Sequence, residues 1–109
     1  MSVTTVQLGD PVTFTCVFPD SKHSNTRVKW YKQSIGDTLT IITTLLKGAS
    51  HPALEQGFPL SRFHANHTTT MSTLTILTTV QEDEGVYHCA VSTWSKDQWS
   101  GTSLSLKGG

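Results

Sequence analysis

Cys16 and Cys89 are the side chains of this chain best equipped for covalent chemistry. In an oxidising compartment two such cysteines join; in a reducing one they are two unrelated buried thiols, and cysteine count alone leaves both readings open. Glu82-Asp83-Glu84 offers carboxylates for acid–base work. Three consecutive acids in a turn, however, read as a solvated acidic corner and not as an acid/base pair. His64 and His67 have a spacing that suits zinc on a helix, but along a strand their rings diverge, and no third ligand follows. Serines and histidines are plentiful without a nucleophile-elbow pattern, and no glycine-rich phosphate loop is present. The chain is expected to have no catalytic residue, no cofactor and no metal.

Recognition chemistry is better represented. Thr93-Trp94-Ser95-Lys96-Asp97-Gln98-Trp99 places two tryptophans in an otherwise polar stretch. Exposed tryptophan is costly in water and enriched at binding hot spots. Of the two, Trp99 is the one expected to fold back onto the body of the protein. Asn66-His67-Thr68 is an N-glycosylation sequon, read here as lying in a surface turn.

The elements that position these residues are strands. The chain has 109 residues, the size of one domain, with many Ser and Thr and formal net charge +0. That composition suits antiparallel sheets with polar outer faces. The charge balance disfavours nucleic acid or an anionic membrane surface as partner, and no apolar run is long enough to span a bilayer. No signal peptide is visible. Met1-Ser2-Val3 reads as the start of a trimmed domain and Gly108-Gly109 as the beginning of a linker, so the chain is expected to be an excerpt of a longer secreted or membrane-anchored protein.

Val3 to Leu8 reads as a first strand, closed by the Gly9-Asp10-Pro11 turn. Val12 to Phe18 alternates at period two, with Val12, Phe14, Cys16 and Phe18 on one face and threonines on the other. Pro19 to Thr26 is a turn-rich loop carrying His23 and Asn25. Strands are further expected over Arg27 to Ser34, over Leu39 to Leu46 (one strand or two), after Ser61-Arg62-Phe63 as far as Ala65, and over Met71 to Leu77. In the last of these Leu74 and Ile76 point inward, and Val80 closes the bottom. Lys47 to Pro52, with Lys47 and Ser50, is a second loop, and Ser100 to Leu106 is the final strand.

Cys16, then Trp30, then Asp83-x-Gly85-x-Tyr87-x-Cys89 resembles the framework of the immunoglobulin superfamily. The resemblance covers Val3 to Lys107. It implies an all-β sandwich of two antiparallel sheets, residues 1–107, with a disulfide between Cys16 and Cys89. Trp30 would pack on that disulfide, Leu74 would join the core, and Tyr87 would pin the last corner. Closing so long a loop should stabilise the fold by roughly 4 kcal/mol through the denatured state. The long Cys16-to-Cys89 interval and the strand at Leu39 to Leu46 favour the variable type over the constant type. In variable domains the arginine of an Arg-Phe pair at this place bridges the aspartate, so Arg62 is expected to meet Asp83. With Trp30 inward, Tyr31 and Gln33 point outward, and so does His88. That face, completed by Ala90 and Trp99, is similar to the pairing face of antibody and T-cell-receptor variable domains.

Ser100-Gly101-Thr102-Ser103-Leu104 is similar to a joining segment, Phe-Gly-x-Gly-Thr-x-Leu. Trp99 stands where the first glycine belongs and Gln98 where the phenylalanine belongs. This departure puts in doubt the bulge that sets how two variable domains pair. A variable domain with such an end most resembles the novel immune-type receptors of bony fish, membrane receptors that recognise cell-surface ligands. A T-cell-receptor or co-receptor variable domain is the alternative, and homophilic adhesion and spacer domains are further classes.

The resemblance implies the extracellular part of a plasma-membrane receptor that binds a protein ligand on another cell. Its three end loops would do so through His23, Asn25, Lys47, Ser50, Trp94, Ser95, Lys96, Asp97 and Gln98. A homodimer face would contain Tyr31, Gln33, His88 and Trp99.

Overall fold

The computed structural model describes residues 2–17, 27–46, 53–68, 70–92 and 97–108. Among the described residues eight strands follow in chain order: β1 (Ser2–Gln7), β2 (Val12–Val17), β3 (Arg27–Gln33), β4 (Leu39–Leu46), β5 (Phe63–His67), β6 (Met71–Ile76), β7 (Gly85–Ser92) and β8 (Asp97–Lys107). A 3-10 turn, Gln81–Asp83, precedes β7. The strands form a five-stranded sheet, β1-β8-β7-β3-β4, and a three-stranded sheet, β2-β6-β5. All pairings are antiparallel except β1 with β8, which is parallel.

Alternation along each strand places the core between the sheets. Val12, Phe14 and Cys16 of β2 are buried while Thr13 and Thr15 are exposed. Val28 and Trp30 of β3, Leu74 and Ile76 of β6, and Tyr87 and Cys89 of β7 fill the same layer. Leu74 is fully buried, which stabilises the fold by about 1.5–3 kcal/mol relative to an exposed leucine. The disulfide joins Cys16 of β2 to Cys89 of β7, closing a separation of 73 residues and linking the two sheets.

Trp30 lies opposite Cys89 on the neighbouring strand. Its indole Nε1–H donates to the Ser72 hydroxyl at 2.9 Å, and that hydroxyl reaches the Asn66 carbonyl at 3.3 Å. Ser72 is buried and sits opposite Cys16. A buried indole N–H thereby finds a partner on the facing sheet, as a buried donor must.

The extra edge of the variable type is represented by β4, which pairs with β3. Thr43 makes one antiparallel bridge with Leu54 on the return of the chain, and residues 47–52 lie outside the described residues. The β3–β4 register shifts between Trp30 and Tyr31, whose partners are Thr43 and Ile41. Ile42 is the extra residue, so Ile42 and Thr43 are both buried although they are neighbours in sequence. Thr43 satisfies its hydroxyl on the Ala53 carbonyl at 2.7 Å.

The lower corner corrects two sequence expectations. Thr79, rather than Val80, is the fully buried residue there, its hydroxyl held by the Asp10 carbonyl at 2.7 Å. The acidic run is also less solvated than expected, because Asp83 is 2% exposed. Its carboxylate is wholly occupied. Arg62 donates to both oxygens at 2.9 and 3.1 Å, and the Val80 N–H donates at 2.8 Å. The Tyr87 hydroxyl donates to the Asp83 carbonyl at 2.7 Å, and its ring stacks on Phe14 at 4.5 Å. These contacts tie the approach to β5 onto the approach to β7, and so one sheet to the other.

The charges at this corner follow from the geometry. The hydrogen bond to Asp83 raises the Arg62 guanidinium above its ordinary value. Burial, with the Asp83 charge adding to it, pushes the Tyr87 phenol well up. Lys32, which donates to the Glu82 carbonyl, is pushed down by burial, and Asp83 opposes that shift.

Candidate binding face

The outer face of the five-stranded sheet gathers residues from β3, β7 and β8. Register places Tyr31 beside His88 and His88 beside Gly101; two rungs along, on the same face, Lys29, Ala90 and Trp99 align. Tyr31 and Trp99 come from strands on either side of β7, yet their rings stack across it at 5.4 Å and 28°. The His88 ring meets Trp99 edge-on at 6.4 Å. Ala90 lies beneath this group and is buried, on a face otherwise open. Trp99 remains 54% exposed, with Leu39 of β4 exposed on the same sheet.

His88 is positioned by two neighbours. Its Nε2–H donates to the Gln33 Oε1 at 3.1 Å, since an amide oxygen can only accept. Gln33 Nε2 reaches the Asp37 carbonyl at 3.4 Å. On the other side, a side-chain carbon at Gly101 would come within 3.2 Å of the His88 Nδ1. The absence of a side chain at Gly101 gives the imidazole room to lie across β8. Gly85 has a parallel role at the foot of β7, where a Cβ would come within 2.7 Å of the Gln33 carbonyl oxygen. Gly101 thus leaves room for the His88 ring and Gly85 for the Gln33 backbone, the two residues joined by the hydrogen bond. The spacing of Gly101 was legible as a joining-like feature; its packing against His88 was not.

The end loops are represented in part. His23, Asn25, Lys47, Ser50, Trp94, Ser95 and Lys96 lie outside the described residues. Asp97, Gln98 and Trp99, expected in the third loop, instead begin β8, where Asp97 pairs with Ser92, Gln98 with Val91 and Trp99 with Ala90. Strand β8 therefore starts three residues before the expected Ser100, because ladder pairing with β7 continues through these polar and aromatic residues. The β7–β8 register runs without a shift from Gly85 to Ser92, so the joining-segment bulge that the Gln98 and Trp99 departures put in doubt is absent.

Asn66 also differs from expectation. It lies within β5 opposite Thr73, since the β5–β6 ladder runs on to His67. The turn begins at Thr68, whose N–H and hydroxyl both bond the Met71 carbonyl, at 2.8 and 3.2 Å. His64 points outward on the same strand, whereas His67 is half-buried.

The immunoglobulin V-set family model matches residues 1–107. The chain belongs to the immunoglobulin V-set family. Among relatives, this V-set domain is 42% identical over 74 residues to human T cell receptor beta variable 7-2, covering 67% of this chain and 63% of that one. It is 37% identical over 67 residues to human T cell receptor beta variable 29-1, covering 61% and 60%. The match thus spans less than two thirds of either human chain's own length.

Solved V-set structures superpose over almost the whole sandwich. A chain from the structural study of T cell specificity and activation by the bacterial superantigen toxic shock syndrome toxin-1 gives a TM-score of 0.85 at 29% identity, covering 98% of this chain and 94% of that chain. Novel immune-type receptor 11 from Ictalurus punctatus, an extracellular fragment including the stalk region, gives 0.81 at 27% identity, covering 99% and 86%. An extracellular fragment of novel immune-type receptor 10 gives 0.78 at 28% identity, covering 95% and 94%. The V-set sandwich, its inter-sheet disulfide and its place among immune-receptor variable domains agree with the sequence expectations.

Proposed function

We propose that this V-set domain is the extracellular recognition part of an innate-type immune receptor. It engages a protein ligand on another cell through its end loops and pairs with a second V domain through the outer face of the five-stranded sheet. One observation carries the pairing: Trp99 is held 54% exposed on the outer sheet face, stacked against Tyr31. A stacked, half-exposed aromatic pair gives a rigid contact whose ordering entropy is already met within the monomer, the kind of anchor that interfaces use. Gln33 and His88 add hydrogen-bonding groups beside it.

The uninterrupted β7–β8 register supports a novel immune-type receptor over a rearranged antigen receptor. The 42% identity to human T cell receptor beta variable 7-2 supports the second reading, a T-cell-receptor-like variable domain. Both readings assign recognition to the end loops and pairing to the sheet. A homophilic adhesion domain would use the sheet face alone.

Cell-binding and cell-aggregation assays with Trp94→Ala and Tyr31→Glu separate these roles. Under the proposal, Trp94→Ala loses binding to ligand-bearing cells at unchanged melting temperature, while Tyr31→Glu loses self-association. Unchanged binding by Trp94→Ala, or a much earlier melt, would remove the third loop as the energetic centre.

A further inference from the structure

The face of the molecule opposite the Tyr31–Trp99 group holds a second feature. The outer side of the three-stranded sheet is a ladder of threonines, with Thr13 opposite Thr75 and Thr15 opposite Thr73. Beside it, Leu54, Leu60, His64, Ala65, Asn66, Thr73 and Thr75 line an open groove of about 630 Å³. Leu60 is 68% exposed in this groove. The lining mixes hydroxyls, an imidazole and two leucines, a surface that offers both hydrogen bonds and apolar contact.

Asn66 stands in this groove and is the acceptor position of the Asn66-His67-Thr68 sequon. It is exposed, and its Oδ1 accepts the His67 N–H at 2.9 Å. That bond engages the amide oxygen and not the nitrogen to which a sugar attaches. The Thr68 hydroxyl, the other obligatory group of the sequon, closes the turn by accepting from the Met71 N–H at 3.1 Å. An N-linked sugar at Asn66 would therefore start inside the groove, with polar and apolar walls on both sides.

We infer that Asn66 carries an N-linked oligosaccharide whose first sugars lie in the groove formed by Leu54, Leu60, His64, Thr73 and Thr75, covering the outer face of the three-stranded sheet. In the attaching step the Asn66 Nδ2 bonds to the anomeric carbon of N-acetylglucosamine on a polyprenyl-pyrophosphate-linked oligosaccharide. The bond from that carbon to the pyrophosphate oxygen breaks, the electron pair leaves with the pyrophosphate, and one amide proton is released. The covered face is then closed to protein partners, which confines pairing to the sheet that carries Tyr31 and Trp99. The inference rests on the extracellular location proposed above.

The test is secretion of the chain behind a leader peptide from a glycosylating host, followed by intact-mass measurement and hydroxyl-radical footprinting. The expected result is a single glycan mass, removed by peptide N-glycosidase, absent in Asn66→Gln and retained in Thr68→Ser. With the glycan present, oxidation of Leu60 falls severalfold relative to the deglycosylated protein, while Trp99 on the opposite sheet is unchanged. Secreted protein at the bare peptide mass overturns the site. Equal oxidation of Leu60 with and without the glycan overturns its placement in the groove. Neither result touches the receptor reading, which is tested by cell binding.

Discussion

Tyr31 and Trp99 stack at 5.4 Å across the central strand β7, joining β3 to β8 on the outer face of the five-stranded sheet. Their contact converts two separate surface aromatics into one rigid patch, with His88 set edge-on against it. If this patch is the pairing surface, self-association should be visible by sedimentation at high protein concentration. Tyr31→Glu places a charge in the patch and should weaken association at least tenfold, about 1.4 kcal/mol. Trp99→Ala should do the same with little loss of melting temperature. Monomer at every concentration, unaffected by either substitution, would remove the pairing reading.

Asp83 is buried, and Arg62 holds both of its oxygens. Asp83→Asn keeps an acceptor for the Val80 N–H but loses the charge that Arg62 faces. Its expected cost is about 2 kcal/mol, read from the urea midpoint at unchanged slope. Arg62→Lys should cost about 1 kcal/mol, since an ammonium cannot hold two carboxylate oxygens in the plane of a guanidinium fork. Equal stability of Asp83→Asn and the parent would mean the pair is ornamental.

Tyr87 ties stability to alkaline pH. Its phenol is pushed up from its ordinary value of 10.0, first by burial and then by the Asp83 charge. The native state therefore keeps this proton at pH values where the unfolded chain has begun to release it. The Tyr87 contribution is fully present below about pH 10 and is lost as pH rises beyond it. Lys32, pushed down by burial from its ordinary value of 10.5, has the opposite sign in the window below: stability rises with pH as its unfolded ammonium is lost, and that gain is complete by about pH 10.5. Tyr87→Phe should lower stability by about 1–2 kcal/mol at neutral pH, because the Asp83 carbonyl loses its donor. It should also flatten the decline above pH 10. An unchanged alkaline slope in urea titrations would assign that decline to other groups.

Ser72 accepts the Trp30 indole N–H across the core. Ser72→Ala leaves a buried donor without its partner and should cost about 1–3 kcal/mol. Combining it with Trp30→Phe should recover part of that loss, because the orphaned N–H is gone. Strictly additive losses in the double mutant would show that the hydrogen bond does not couple the two sites.

Much of this arrangement could be read along the chain. Period-two alternation in Val12 to Cys16 and in Leu74 to Ile76 identified inward faces, because a strand repeats every two residues and one face must leave water. The same rule put His88 on the face opposite Tyr87 and Cys89. Other features were hidden for definite reasons. The start of β8 at Asp97 depends on ladder bonds to Ser92, Val91 and Ala90, and backbone pairing has no signature in a polar side-chain run. The bulge at Ile42 depends on the neighbouring strand and leaves no local turn residue to mark it.

The sequence by itself determined the inward faces of the strands, since residue type and parity suffice for them, and its resemblance to the immunoglobulin framework implied the two-sheet sandwich, the Cys16–Cys89 disulfide and the core places of Trp30 and Tyr87. Only the tertiary structure decided which distant groups meet: the Trp30 indole with Ser72, the Tyr31 ring with Trp99, the His88 imidazole with the space left by Gly101, and Asn66 with its groove. Each of those contacts joins residues from different strands. Their existence depends on strand order and register, which arise from the packing of the whole chain and from no single stretch of it.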